Sequence, residues 1–147
     1  MPTTRTRFFG VVDYAPEDVI TFPSGIPPFV DSTRFLLLSD EKKRPLVFLQ
    51  SVDDEHLCFI TMPIRGLDPG YQFAVEPHDL AAVEWNDERQ PAFDDLVCLT
   101  ILTIPEAGPV TANLLGPVLI NTKAHLGVQS VRADGAYTHA APLDGTL

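Results

Sequence analysis

The 147 residues carry 20 Asp and Glu against 10 Lys and Arg, a formal charge of −10, with 45% apolar and 20% charged residues. A chain of this length buries roughly 68–70% of its unfolded surface in one domain, so it needs no metal or disulfide staple, and no apolar run approaches the ~20 residues of a membrane-spanning helix. The charge repels phosphate backbones and disfavours direct binding of RNA or DNA; it suits a basic partner, or solubility alone.

The opening MPTTRTR is positively charged but has no apolar stretch behind it, which argues against a secretory signal. Apolar and β-branched composition predicts strands at 8–12 and 19–22, joined by the turn-forming DYAPED. Residues 23–29, PSGIPPF, hold three prolines that remove backbone donors, so an ordered loop or extended arm is expected. Its apolar members Ile26 and Phe29 then either pack over a barrel end or form a docking surface. A strand at 34–38 leads through the charged turn DEKKR to a hairpin. Residues 46–49 and 57–60 form its buried stem, and Asp53, Asp54, Glu55 and His56 form an acidic tip, because Asp side chains accept hydrogen bonds from the backbone just ahead.

Residues 71–75 alternate and predict another strand, and 77–85 is the best helical segment, with Pro in its first turn and Trp85 as its anchor. Residues 86–95 read as a loop. The stretch 97–104 is the longest predicted strand; its nearly continuous apolarity implies burial on both faces. Short strands at 110–116 and 117–121 are divided by Gly116-Pro117, a turn follows at 124–127, and a last strand lies at 128–131. Residues 134–147 are expected to be a loose tail. About ten short strands with one or two short helices predict a single all-β, mainly antiparallel domain, a barrel rather than a sandwich because closure removes sheet edges.

Chemistry is sparse. None of the four histidines, His56, His78, His125 and His139, lies at metal-ligand spacing from another His or a Cys. Ser24 and Ser51 lack a nucleophile elbow, no Gly-rich phosphate loop occurs, and acid/base work by Asp53 or Asp54 would need a desolvated carboxyl that an exposed tip does not offer. Cys58 and Cys98 lie in apolar runs and are expected to be reduced core residues. What remains is an acidic surface, an acidic tip and an apolar Pro-rich loop, the profile of an interaction module.

Three stretches in register, ITFPSGIP at 20–27, LQSVDD at 49–54 and TANLLGPVLIN at 111–121, resemble the FliW family of flagellar assembly factors, and the likeness runs from about Phe9 to about Val131. It implies a small antiparallel β-barrel without catalytic activity or cofactor, working in the bacterial cytoplasm as a partner switch. Such proteins bind the translational regulator CsrA, a basic RNA-binding dimer, and also bind flagellin; accumulated flagellin occupies them and frees CsrA to repress flagellin translation. Ser24 and Pro28 depart from the family pattern, which has an acid and a glycine there, and Gly116 stands where Ala is usual. The expected partner contacts are Phe22, Ile26 and Phe29 with Asp53, Asp54 and Glu55, on a monomer that touches neither nucleic acid nor membrane. The alternative is a small-ligand-binding barrel without a regulatory partner, which requires an internal cavity with a few convergent polar groups.

Overall fold

The computed structural model describes residues 1–143. Its strands are β1 (Thr3–Arg5), β2 (Val11–Asp13), β3 (Ile20–Thr21), β4 (Arg34–Leu38), β5 (Val47–Ser51), β6 (Cys58–Pro63), β7 (Val97–Thr103), β8 (Thr111–Ala112), β9 (Val118–Asn121), β10 (Leu126–Gln129) and β11 (Ala141–Pro142). Two short helices, α1 (Ile64–Leu67) and α2 (Pro77–Ala82), follow β6. Seven strands close a ring in the order β7-β6-β5-β4-β3-β10-β9 and back to β7; its pairings are antiparallel except β3 with β10. The all-β barrel expected from the spacing of turns is therefore the observed fold.

Side-chain alternation sorts the ring strands into two layers. Phe22, Ile26, Phe35, Leu49, Leu99, Val118 and Ile120 fill the interior at or near zero exposure. The alternative of a ligand carrier required a cavity here, and this axis is packed with aromatic and branched side chains instead.

The outer face is covered as well. Leu96, Cys98, Leu119 and Val128 lie in a second cluster with Ile64, Tyr71, Val75 and Val83, so the helical segment and its flanking loops roof β7, β9 and β10. Trp85 packs at the margin of that cluster, its indole N–H donating to the Arg89 carbonyl at 2.9 Å. The β1–β2 ribbon shelters the outer side of β4 and β5: Phe8 and Phe9 stand against Phe48 at 5.5 and 5.1 Å, and Leu36, Phe48 and Gln50 are buried. Double-sided burial explains why β5, β7 and β9 read as nearly unbroken apolar runs.

Four expectations are corrected. The run 8–12 is not one strand, because Gly10 takes φ +66° and its carbonyl accepts from the Thr6 N–H and hydroxyl, turning Phe8 and Phe9 into a hairpin bend between β1 and β2. Residues 71–76 join no sheet; the Gln90 side chain takes the place of a neighbouring strand, accepting the Val75 N–H at 2.8 Å and donating to its carbonyl at 3.1 Å. The last ring strand begins at Leu126, not Val128, and β11 follows it.

The loose tail is corrected over 134–143. There β11 pairs with β8, Leu143 is buried, and Arg132 lies against the Tyr71 and Tyr137 rings while binding both Asp134 carboxylate oxygens and the Gln72 carbonyl. Residues 144–147 lie outside the described part of the chain.

Candidate functional site

Two loops meet at one end of the β4–β5–β6 sheet. Residues 22–33 connect β3 to β4, and residues 52–57 connect β5 to β6. Arg34, the first residue of β4, ties the second loop to the end of the first: its carbonyl accepts the Val52 N–H at 2.9 Å and its guanidinium donates to Asp53 at 3.2 Å. Both partners of that ion pair are about half-exposed, so it is worth about 0–1 kcal/mol and serves register more than stability.

The 22–33 loop is a nest of turns. Phe22 donates to the Thr33 carbonyl, Gly25 to that of Phe22, and Phe29 to that of Ile26, with Ile26 and Phe29 bridged. Gly25 has φ +65°, and a Cβ on it would meet the backbone of Phe29 and Val30 at 2.6–2.8 Å, so only glycine allows the chain to cross itself this closely. The fold-back drives Ile26 into the barrel mouth and leaves Pro27, Pro28, Phe29 and Val30 exposed. Phe29 keeps 46% and Val30 53% of their surface, and Phe29 rests edge-on against Phe59 at 5.9 Å.

This corrects the expected contact set. Phe22 and Ile26 are both at 0% exposure, Phe22 against Phe35 at 5.3 Å, and neither offers surface to a partner. Their strand and loop composition could not show that the turns point them inward. Phe29 does lie outside, and Val30 beside it was not singled out by its sequence.

Asp53, Asp54, Glu55 and His56 are all exposed. Their turn is built from within: the Ser51 hydroxyl accepts the N–H groups of Asp53 and Asp54 at 3.2 and 3.1 Å, the Asp54 carboxylate accepts that of His56 at 3.0 Å, and the Asp54 carbonyl that of Leu57 at 3.1 Å. Three carboxylates thus stand at the sheet end that carries the Phe29–Val30 corner. The loop and the tip, which the sequence treats separately, are brought to one site.

Elsewhere the reactive groups are buried or dispersed. Cys58 and Cys98 are buried free thiols, and burial pushes them up from 9.0 to about 11 and about 12; the Arg7 charge partly opposes the rise at Cys58. Among the described residues, no group of three or more His, Cys, Asp or Glu is arranged to hold a metal ion, and no helix is long and apolar enough to cross a membrane. A surface groove of about 320 Å³ runs past Arg65, Phe93 and Asp94, with Arg65 and Asp94 on its lining paired at 3.1 Å.

The model of the FliW protein family matches residues 3–143. The flagellar assembly factor FliW of Natranaerobius thermophilus is 36% identical over 137 residues, covering 92% of this chain and 87% of the relative. That of Bacillus subtilis is 32% identical over 142 residues, covering 96% of each. A crystal structure of the flagellar assembly factor FliW superposes with a TM-score of 0.85 at 27% identity, covering 96% of both chains. The match takes in the closed ring, the N-terminal ribbon and both loops at the β4–β5–β6 end, and the chain belongs to the FliW family.

Proposed function

We propose that this chain is a flagellar assembly factor that works by binding rather than catalysis: it binds the translational regulator CsrA and also flagellin, exchanging the two in the bacterial cytoplasm. The observation that carries the reading is the juxtaposition of three exposed carboxylates, Asp53, Asp54 and Glu55, with the exposed apolar pair Phe29 and Val30, on a chain of formal charge −10. A basic RNA-binding dimer is steered toward negative potential, whereas RNA is repelled by it, so the field favours capture of the regulator in competition with its message. A half-exposed aromatic beside a branched residue supplies the apolar contact that charge alone lacks. The same net charge opposes self-association and fits a monomer.

The test is a titration of purified protein into a CsrA–RNA complex. RNA release that flagellin reverses is the expected result, and it should weaken when salt is raised, because exposed charges are screened over ~8–10 Å near physiological ionic strength. Undisturbed CsrA–RNA together with no flagellin binding would refute the proposal. The paired variants Phe29→Ser and Asp53→Asn/Asp54→Asn/Glu55→Gln locate the surface: weaker binding in either places it at this sheet end, and unchanged affinity in both moves it elsewhere.

A further inference from the structure

Behind the acidic tip lies a buried amide. Gln50, at 0% exposure, points to the outer face of β5 beneath the N-terminal ribbon. Its amide nitrogen lies 3.0 Å from the Ser51 carbonyl and 3.3 Å from those of Asp54, Glu55 and Leu57. Its amide oxygen accepts the Arg7 N–H at 3.0 Å. The orientation is fixed by chemistry, since the flipped amide would set an oxygen against four carbonyl oxygens and an NH2 against an N–H.

The ribbon adds two further bonds to the same turn. The Thr4 hydroxyl donates to the Val52 carbonyl at 2.9 Å, and the Arg7 guanidinium to that of His56 at 3.4 Å. The carbonyls at both ends of the tip therefore answer to the ribbon directly, and those in its middle answer to it through Gln50.

We propose that Gln50 is the positioning residue of the acidic tip, and that its buried amide couples the tip to the N-terminal ribbon, so that the carboxylates of 53–55 keep their presentation only while the ribbon is seated. The amide carries its acceptor and its donors on separate atoms, so the oxygen accepts from the ribbon while the NH2 faces the carbonyls of the turn. A buried Leu of similar volume fills the space without either bond. Any consequence for partner capture rests on the reading above, whereas tip geometry can be measured without a partner, so the two can fail separately.

Amide hydrogen exchange across a pH series, corrected for intrinsic rates, tests this with Gln50→Glu and Gln50→Leu. Ionised, the introduced carboxylate would face the carbonyl cluster with no hydrogen to donate; protonated, it regains one. The charged and titratable groups around it are Arg7 from the ribbon, Arg34 from β4, Asp53, Asp54, Glu55 and His56 on the tip and Cys58 on β6, and the wild-type series carries all of their effects. In Gln50→Glu, protection of the Asp54, His56 and Leu57 amides should fall at least tenfold at high pH and return as the pH is lowered. Gln50→Leu should lose it at every pH. A Gln50→Glu profile that follows wild type throughout, or a pH-independent loss spread evenly over the barrel, overturns the proposal. If Gln50→Glu does not fold, wild-type exchange decides: the Arg7 amide and the tip amides must open together, and independent opening refutes the coupling.

Discussion

Placing a methyl on Gly127 tests the packing of the barrel interior where the Phe22 ring lies against the β10 backbone. A Cβ there would stand 2.3 Å from Cζ of Phe22 and 2.6 Å from each Cε, whereas carbon atoms settle about 3.5–4.0 Å apart, so the ring must withdraw by roughly 1 Å. It has nowhere to go: Phe22 has no exposed surface and meets Phe35 edge-on at 5.3 Å among Ile20, Ile26 and Leu49. Overpacking of this kind costs about 1–3 kcal/mol, and more where the neighbours are rigid. Phe22→Leu removes the atoms that the new methyl would strike, so Gly127→Ala should cost far less in that background. Urea denaturation of the wild type, both single variants and the double variant closes the cycle, with m-values checked for constancy. A coupling energy of about 1–2 kcal/mol, the double variant being more stable than the singles predict, is expected for two groups in direct contact; additivity within about 0.5 kcal/mol would refute the account of Phe22 resting on the β10 backbone.

Further outcomes follow from the loops, the ion pairs and the buried thiols. Gly25→Ala should cost at least about 1–3 kcal/mol, since both its φ and its contact with the Phe29–Val30 backbone exclude a side chain; a thermal melt matching wild type would contradict this. Arg132→Met removes charge-assisted bonds to Asp134 and the Gln72 carbonyl and so should loosen the segment that follows. Limited proteolysis should then cut first within 133–143, and an unchanged digestion pattern would show that the clamp is dispensable. Cys58 and Cys98 ionise near 9.0 when unfolded but only at about 11 and about 12 when folded, so their contribution to stability is full below pH 9 and is lost as the pH rises through those values. At pH 8 an aromatic disulfide reagent should therefore label them no faster than the protein unfolds, and rapid stoichiometric labelling would be evidence against their burial. Asp95 is held at about 2 by the Arg89 guanidinium and then by the Ala92 N–H; its depressed value contributes stability above pH 3.8 that is lost as the pH falls toward 2, and Asp95→Asn should flatten that acid limb of the denaturation curve.

What the sequence disclosed was mostly local. The hairpin β5–β6, the strand Arg34–Leu38, the helix at Pro77 and the long strand β7 each announce themselves through turn residues and apolar runs. Ring closure was legible only as a preference, because the pairing of β7 with both β6 and β9 is long-range and leaves no local mark. The 71–75 segment looked like a strand because it is half-buried and alternating, yet side chains take the place of a neighbouring strand, Gln90 at Val75 and Arg132 and Tyr137 at Gln72, and no propensity scale records that. The same blindness affected the site. Phe22, Ile26 and Phe29 are alike in composition, and only the turn closed by Gly25 separates the two that enter the core from the one that stays outside. Gln50 carried a usable sign, a lone amide between Leu49 and the barrel's next turn in an otherwise apolar strand, which asks what hydrogen-bond partners would justify its burial.

The chain contains one tryptophan, and Trp85 belongs to the roof over β7, β9 and β10, not to the cluster beneath the two loops. Intrinsic indole emission is therefore a monitor of that roof. Melting or docking there will register in the spectrum, while an event confined to the carboxylate-bearing end of the molecule will pass optically silent unless a second fluorophore is introduced beside Phe29.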